Sequence, residues 1–131
     1  MADETIRTMA SGAREAGLSL SATGIDLRNR ALLAIGNAIE RHLSEIIQAN
    51  DRDITKATEE NLSAPMLSRL RFGEAKARRV IEGLQALAML PDPLNRIQYA
   101  NEIAEGLKLY RCSCPIGVIG IIFESRPDAL V

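Results

Sequence analysis

PIGVIGIIFESRPDALV, residues Pro115 to Val131, is the stretch on which the fold turns. From Ile116 to Phe123 it is almost wholly apolar, rich in Val and Ile and interrupted only by Gly117 and Gly120. Such a run suits a strand buried on both faces, as in a parallel sheet. Polarity changes abruptly at Glu124, Ser125 and Arg126, and Pro127 fits the first turn of a following helix, where a missing N–H costs nothing. This pattern predicts a β-to-α corner. In open α/β sheets ligands gather at the carboxyl ends of the strands, so these polar residues stand where a ligand would be met. A doubly buried strand needs neighbours on both edges and helices above and below. The 131 residues supply few of either, and the sequence reads as an α/β domain cut short.

Working outward, Pro91 and Pro93 separate a strand-forming region from a helical one, because each lacks a backbone donor and disfavours helix in the residue before it. Ile97 to Ile103 and Leu107 to Cys112 are predicted strands, joined through Ala104, Glu105 and Gly106 as a hairpin. Leu107, Leu109 and Arg111 alternate with Lys108, Tyr110 and Cys112, which places this strand at a sheet edge or an interface. Residues 1–90 predict helices. The first runs from Ala2 to about Leu18 and stops at Gly17, with Ser19, Ser21 and Thr23 offering caps for the next. Leu32, Ile35, Ile39, Leu43 and Ile46 then form one apolar stripe on a long helix. Asn50 and Asp51 allow a break, Asn61 a stop, and two shorter helices follow at Ala64 to Leu70 and Glu74 to Leu90.

Composition excludes several classes. Hydrophobic residues make up 47% and charged residues 25%, the balance of a globular protein. Sixteen basic against seventeen acidic residues leave a net charge of −1. That is no electrostatic footprint for nucleic acid or an anionic membrane. The opening residues carry two acids among the first four and no apolar core, so no secretory signal is predicted and the expected compartment is the cytoplasm. His42, the only histidine, has no clustered ligands and reads as a helix-surface residue rather than a metal ligand. Cys112 and Cys114, spaced i, i+2, would share one face of a strand in a poor arrangement for a relaxed disulfide, and read as reduced thiols. Gly117 and Gly120 fall inside the predicted strand rather than at its turn, so they are no dinucleotide fingerprint; close packing accounts for them. Arg126 has two readings. Its planar fork suits a phosphate or carboxylate, aided by the amides of a following helix, or it pairs with Glu124 or another acid of the chain.

NRALLAI (Asn29 to Ile35), IIQANDRDITKA (Ile46 to Ala57), NLSAPMLSRL (Asn61 to Leu70), DPL (Asp92 to Leu94), GLKLYR (Gly106 to Arg111) and PIGVIGIIFESRPDALV together resemble the γ-glutamyl phosphate reductases of the aldehyde dehydrogenase superfamily. The resemblance runs from about Ser21 to the last residue, in the family's order and spacing. PIGVIGIIFESRP is its most specific part, since related aldehyde dehydrogenases share the PxGV strand but not ESRP. It implies an α/β fold in which residues 1–131 are the N-terminal part of a Rossmann-like cofactor domain: 1–90 helical, 97–112 a β-hairpin, and 115–131 the first strand with the start of the next helix. The implied activity is NADPH-dependent reduction of γ-glutamyl phosphate to glutamate 5-semialdehyde in proline biosynthesis. In this family a cysteine thiolate attacks the acyl phosphate and hydride reaches the resulting thioester. That cysteine is expected beyond Val131, so neither Cys112 nor Cys114 inherits the role and no catalytic residue is assigned here. Phe123, Glu124, Ser125, Arg126 and Pro127 correspond to the segment lining the cofactor cleft. The resemblance further implies a homo-oligomer, a glutamate kinase as metabolic partner, no kinase fused ahead of Met1, and no activity for the 131 residues alone. The alternative expectation is a short non-catalytic module that pairs through an exposed strand edge.

Overall fold

The computed structural model describes residues 2–131, those numbered 2 and 3 by backbone only. It divides into two compact units. One comprises Asp26–Leu90 with Ile121–Val131; the other comprises Pro91–Gly120 with the N-terminal residues through Ile25.

The first unit is helical. Its elements are α2 (Ile25–Arg41), α3 (Leu43–Glu59), α4 (Ala64–Leu70) and α5 (Glu74–Ala88). The long striped helix bends at His42 rather than breaking at Asn50. Backbone bonding runs through the bend, from His42 N–H to Ala38 at 3.1 Å and from Ile46 N–H to His42 at 3.0 Å. The core is small: Ala57, Phe72, Ala77 and Leu84 are its buried apolar residues. α3 packs on α4 and α5. Gly36 of α2 is buried, and a Cβ added there would make ordinary van der Waals contact with Ile81 and Leu84 of α5, at 3.7 and 3.8 Å.

Two asparagines finish this packing. Helix ends leave carbonyls without intrahelical partners, and burying them unpaired is costly. Asn29 of α2 donates to the carbonyl of Ala88, the last residue of α5, at 2.8 Å. Asn50 of α3 is buried and donates to Leu70, the last residue of α4, at 2.9 Å, while its Oδ1 accepts from Phe72 N–H at 2.6 Å. A residue expected to interrupt α3 therefore sits in mid-helix and closes another helix twenty residues on. Asn61 does end α3's turn, in the left-handed region at φ +58°.

The second unit holds α1 (Ala2–Ser21) and a two-stranded antiparallel sheet of β1 (Ile97–Ala104) and β2 (Leu107–Cys112). α1 passes through Gly17, where an added Cβ would meet Val118 Cγ2 at 2.7 Å; the glycine serves a close approach rather than a stop. Ser21 and Thr23, expected as caps for the next helix, instead donate to the closing carbonyls Leu18 and Leu20, each at 2.7 Å. In the hairpin Tyr99 faces Arg111, Asn101 faces Leu109 and Glu102 faces Lys108. Irregularities fall between Ile97 and Tyr99 and between Glu102 and Ala104. Gly106 takes φ +75° in the turn, and its N–H donates to Glu102 Oε1 at 2.9 Å. All residues of both strands are exposed.

Ile116 to Phe123 differs most from expectation. It joins no sheet, since the strand order among the described residues contains only β1 and β2. The physical reason is pairing: a strand's N–H and C=O groups are satisfied by neighbours, and none is present here. Ile116 is 91% exposed and Ile122 fully so. Pro127–Leu130 forms a four-residue 3₁₀ turn, with Pro127 in its first turn as predicted. Among the described residues no helix is long and apolar enough to cross a membrane.

Candidate functional site

The five candidate residues, Phe123 to Pro127, join the apolar stretch to the 3₁₀ turn, which packs on α5 within the helical unit. Phe123 is 43% exposed. Glu124 and Arg126 are exposed, whereas Ser125 and Pro127 are half-buried. Ser125 lies at φ +53°, the left-handed region, where a residue with a Cβ carries about 1 kcal/mol of strain. That backbone turn re-aims the chain between Glu124 and Arg126. Nothing in the residue type announces it, because serine has no marked preference for this conformation.

Of the two readings of Arg126, the chain supplies an acid, though not Glu124. Arg126 Nη2 lies 3.7 Å from Asp128 Oδ2, with the guanidinium side chain 59% exposed. A pair this long and this wet contributes less than about 1 kcal/mol. An anion with better geometry displaces it at small cost, so the pairing does not consume the arginine. The expected help from helix amides is weak. Ala129 N–H is already bonded to the Arg126 carbonyl at 3.0 Å, and a four-residue turn has almost no macrodipole.

The remaining conspicuous residues are placed as follows. His42 is exposed, with Nδ1 3.3 Å from Glu45 Oε2. Cys112 and Cys114 are free and exposed. No group of three metal-ligating side chains occurs among the described residues. Gly117 and Gly120 have open space where a Cβ would be, so close packing is not their role in this structure; Gly117 is required instead by its φ of +110°.

No family model matches the chain. Individual proteins do. It is 49% identical over 118 residues to the γ-glutamyl phosphate reductase of Pelotomaculum thermopropionicum, which covers 90% of this chain and 27% of that protein. It is 48% identical over 127 residues to that of Acetivibrio thermocellus, covering 97% and 30%. The crystal structure of the γ-glutamyl phosphate reductase from Saccharomyces cerevisiae superposes with a TM-score of 0.87 at 33% identity, over 94% of this chain and 31% of that one. Over nine-tenths of its length or more, this chain is similar to γ-glutamyl phosphate reductases.

The Thermotoga maritima γ-glutamyl phosphate reductase agrees, with a TM-score of 0.86 at 30% identity over 91% of this chain and 29% of its own. The chain thus spans about 30% of the length of the reductases it matches. Its helical region and hairpin are a partial α/β structure shared with the reductases.

Proposed function

We propose that these residues serve an enzyme that reduces γ-glutamyl phosphate to glutamate 5-semialdehyde in proline biosynthesis, with NADPH supplying the hydride. The observation that carries this reading is identity of 48 to 49% to two γ-glutamyl phosphate reductases across at least nine-tenths of the chain. Residues 1–131 are then the N-terminal part of a cofactor domain of the aldehyde dehydrogenase type, with Ile116 to Phe123 its first strand. Phe123, Glu124, Ser125, Arg126 and Pro127 line the cofactor cleft. The fit rests on Arg126, whose loose contact with Asp128 leaves it suited to a phosphate or carboxylate. The reductase works in the cytoplasm as a homo-oligomer, next to a glutamate kinase that supplies the acyl phosphate.

The 131 residues alone are inactive on this reading. Support comes from Ile116, Ile119, Ile121 and Ile122, an apolar row that a parallel sheet would cover and that here stands in water. A chimera tests the proposal: these residues replace the corresponding segment of the Acetivibrio thermocellus reductase, and phosphate-dependent reduction of NADP⁺ by glutamate semialdehyde is assayed. Activity within about tenfold of the parent is expected, a loss of transition-state stabilisation below about 1.4 kcal/mol. A soluble, folded chimera with no activity would overturn the function, and turnover by the 131-residue chain would overturn its inactivity.

A second reading follows from the hairpin, whose strands each present an unpaired edge and whose residues are all exposed. A chain acting by itself would then be an interaction module that adds its edge to a partner's sheet. A compact monomer that binds no apolar dye would exclude this.

A further inference from the structure

Cys112 ends β2, and Cys114 follows two residues on, immediately before Pro115. Both thiols are free and exposed. Ser113 between them is held by four hydrogen bonds to one short segment. Its N–H donates to the Arg96 carbonyl at 3.0 Å, and its carbonyl accepts from Asn95 N–H at 3.0 Å. Its hydroxyl donates to the Pro93 carbonyl at 2.6 Å and accepts from Arg96 N–H at 2.9 Å. The serine side chain is therefore turned toward residues 93–96. The strand fixes Cys112 as extended, and Pro115 biases Cys114 the same way. Side chains alternate along extended backbone, so both cysteines turn to the side opposite Ser113.

Magnitudes then decide what the pair can do. Extended backbone rises 3.2–3.4 Å per residue, which separates the two Cα atoms by roughly 6.4–6.8 Å. Disulfides favour about 5.5–6 Å, so a direct S–S bond here is strained. A bridge through one interposed atom relieves that strain. Thiolates are soft ligands that select ions such as Cu(I). With no third metal-ligating side chain gathered beside them among the described residues, the pair suits an ion satisfied by two ligands rather than tetrahedral zinc.

We propose that Cys112 and Cys114 form a bis-thiolate site for one monovalent copper ion. On binding, two S–H protons pass to solvent and two S–Cu bonds form. Copper remains Cu(I), and no electron is transferred. Ser113 is a positioning residue that presents both sulfurs on one side.

The test titrates the reduced 131-residue chain anaerobically with the Cu(I) acetonitrile complex, against bathocuproine disulfonate as competitor. One ion per chain is expected. Cys112→Ser and Cys114→Ser should each weaken binding by about 10²-fold or more, because the second sulfur acts at high effective concentration. Ser113→Ala should keep the stoichiometry and weaken binding by about threefold or more through the same effective concentration. Either single-thiol variant binding within about threefold of the parent, or two ions binding independently, would overturn the site. Unchanged affinity in Ser113→Ala would overturn the positioning role.

Discussion

The helical region from Asp26 to Leu90 and the apolar row from Ile116 to Phe123 are both rich in Ile, Leu and Val, yet they end in opposite conditions. Each helix satisfies most of its backbone bonds within itself, and two asparagines complete the ends of α4 and α5. The apolar row has the composition of a sheet's centre, and among the described residues no strand bonds to it. Backbone satisfaction is local in a helix and borrowed in a strand. The helices therefore keep their bonds, while the row from Ile116 to Phe123 stands exposed and unpaired among the described residues.

Substitutions can break or sharpen that contrast. The largest effect belongs to Leu84→Ala, which opens a cavity beside Gly36 in the small core. A loss of about 3 kcal/mol is expected, seen as a fall in the urea midpoint of the helical signal. Asn50→Ala comes next. It orphans the Leu70 carbonyl and the Phe72 N–H together and should cost about 2 kcal/mol, with faster hydrogen exchange at Phe72 while α5 stays protected. Gly106→Ala forces a Cβ into the left-handed turn of the hairpin, at about 1 kcal/mol, read from cross-strand NMR contacts between Glu102 and Lys108. The smallest effect tests the bare row itself. Ile122→Ser should leave the thermal midpoint unchanged, within about 0.5 kcal/mol, while lowering dye binding; a large loss would mean that Ile122 is buried after all.

Much of this fold was legible from the residues. The hairpin was, because Gly106 between two alternating runs has few other uses; only the end of β1 moved, by one residue to Ala104. α4 was read correctly from Ala64 to Leu70. The bend at His42 was not legible, because the apolar stripe from Leu32 to Ile46 continues across it without a change of period. Asn50 misled for a different reason. Its amide suits turns, and its actual partners lie at Leu70 and Phe72, beyond any local window. At the candidate site, the change from apolar to polar residues at Glu124 and the turn beginning at Pro127 were readable, whereas the strand predicted before them does not form among the described residues. The left-handed Ser125 and the Arg126 pairing with Asp128 were not, since both depend on how the chain turns after Phe123.

The bare isoleucines also bear on how long such a chain persists in a cell. A run of β-branched residues without charge is the kind of segment that self-associates into stacked strands, and whose exposure quality-control machinery acts on. Ile116 to Phe123 contains no acidic or basic side chain to act as a gatekeeper; the nearest is Glu124, at its end. Abundance would then be set by how quickly that row finds cover, and two chains with identical helix stability would differ in lifetime by what this one segment meets first.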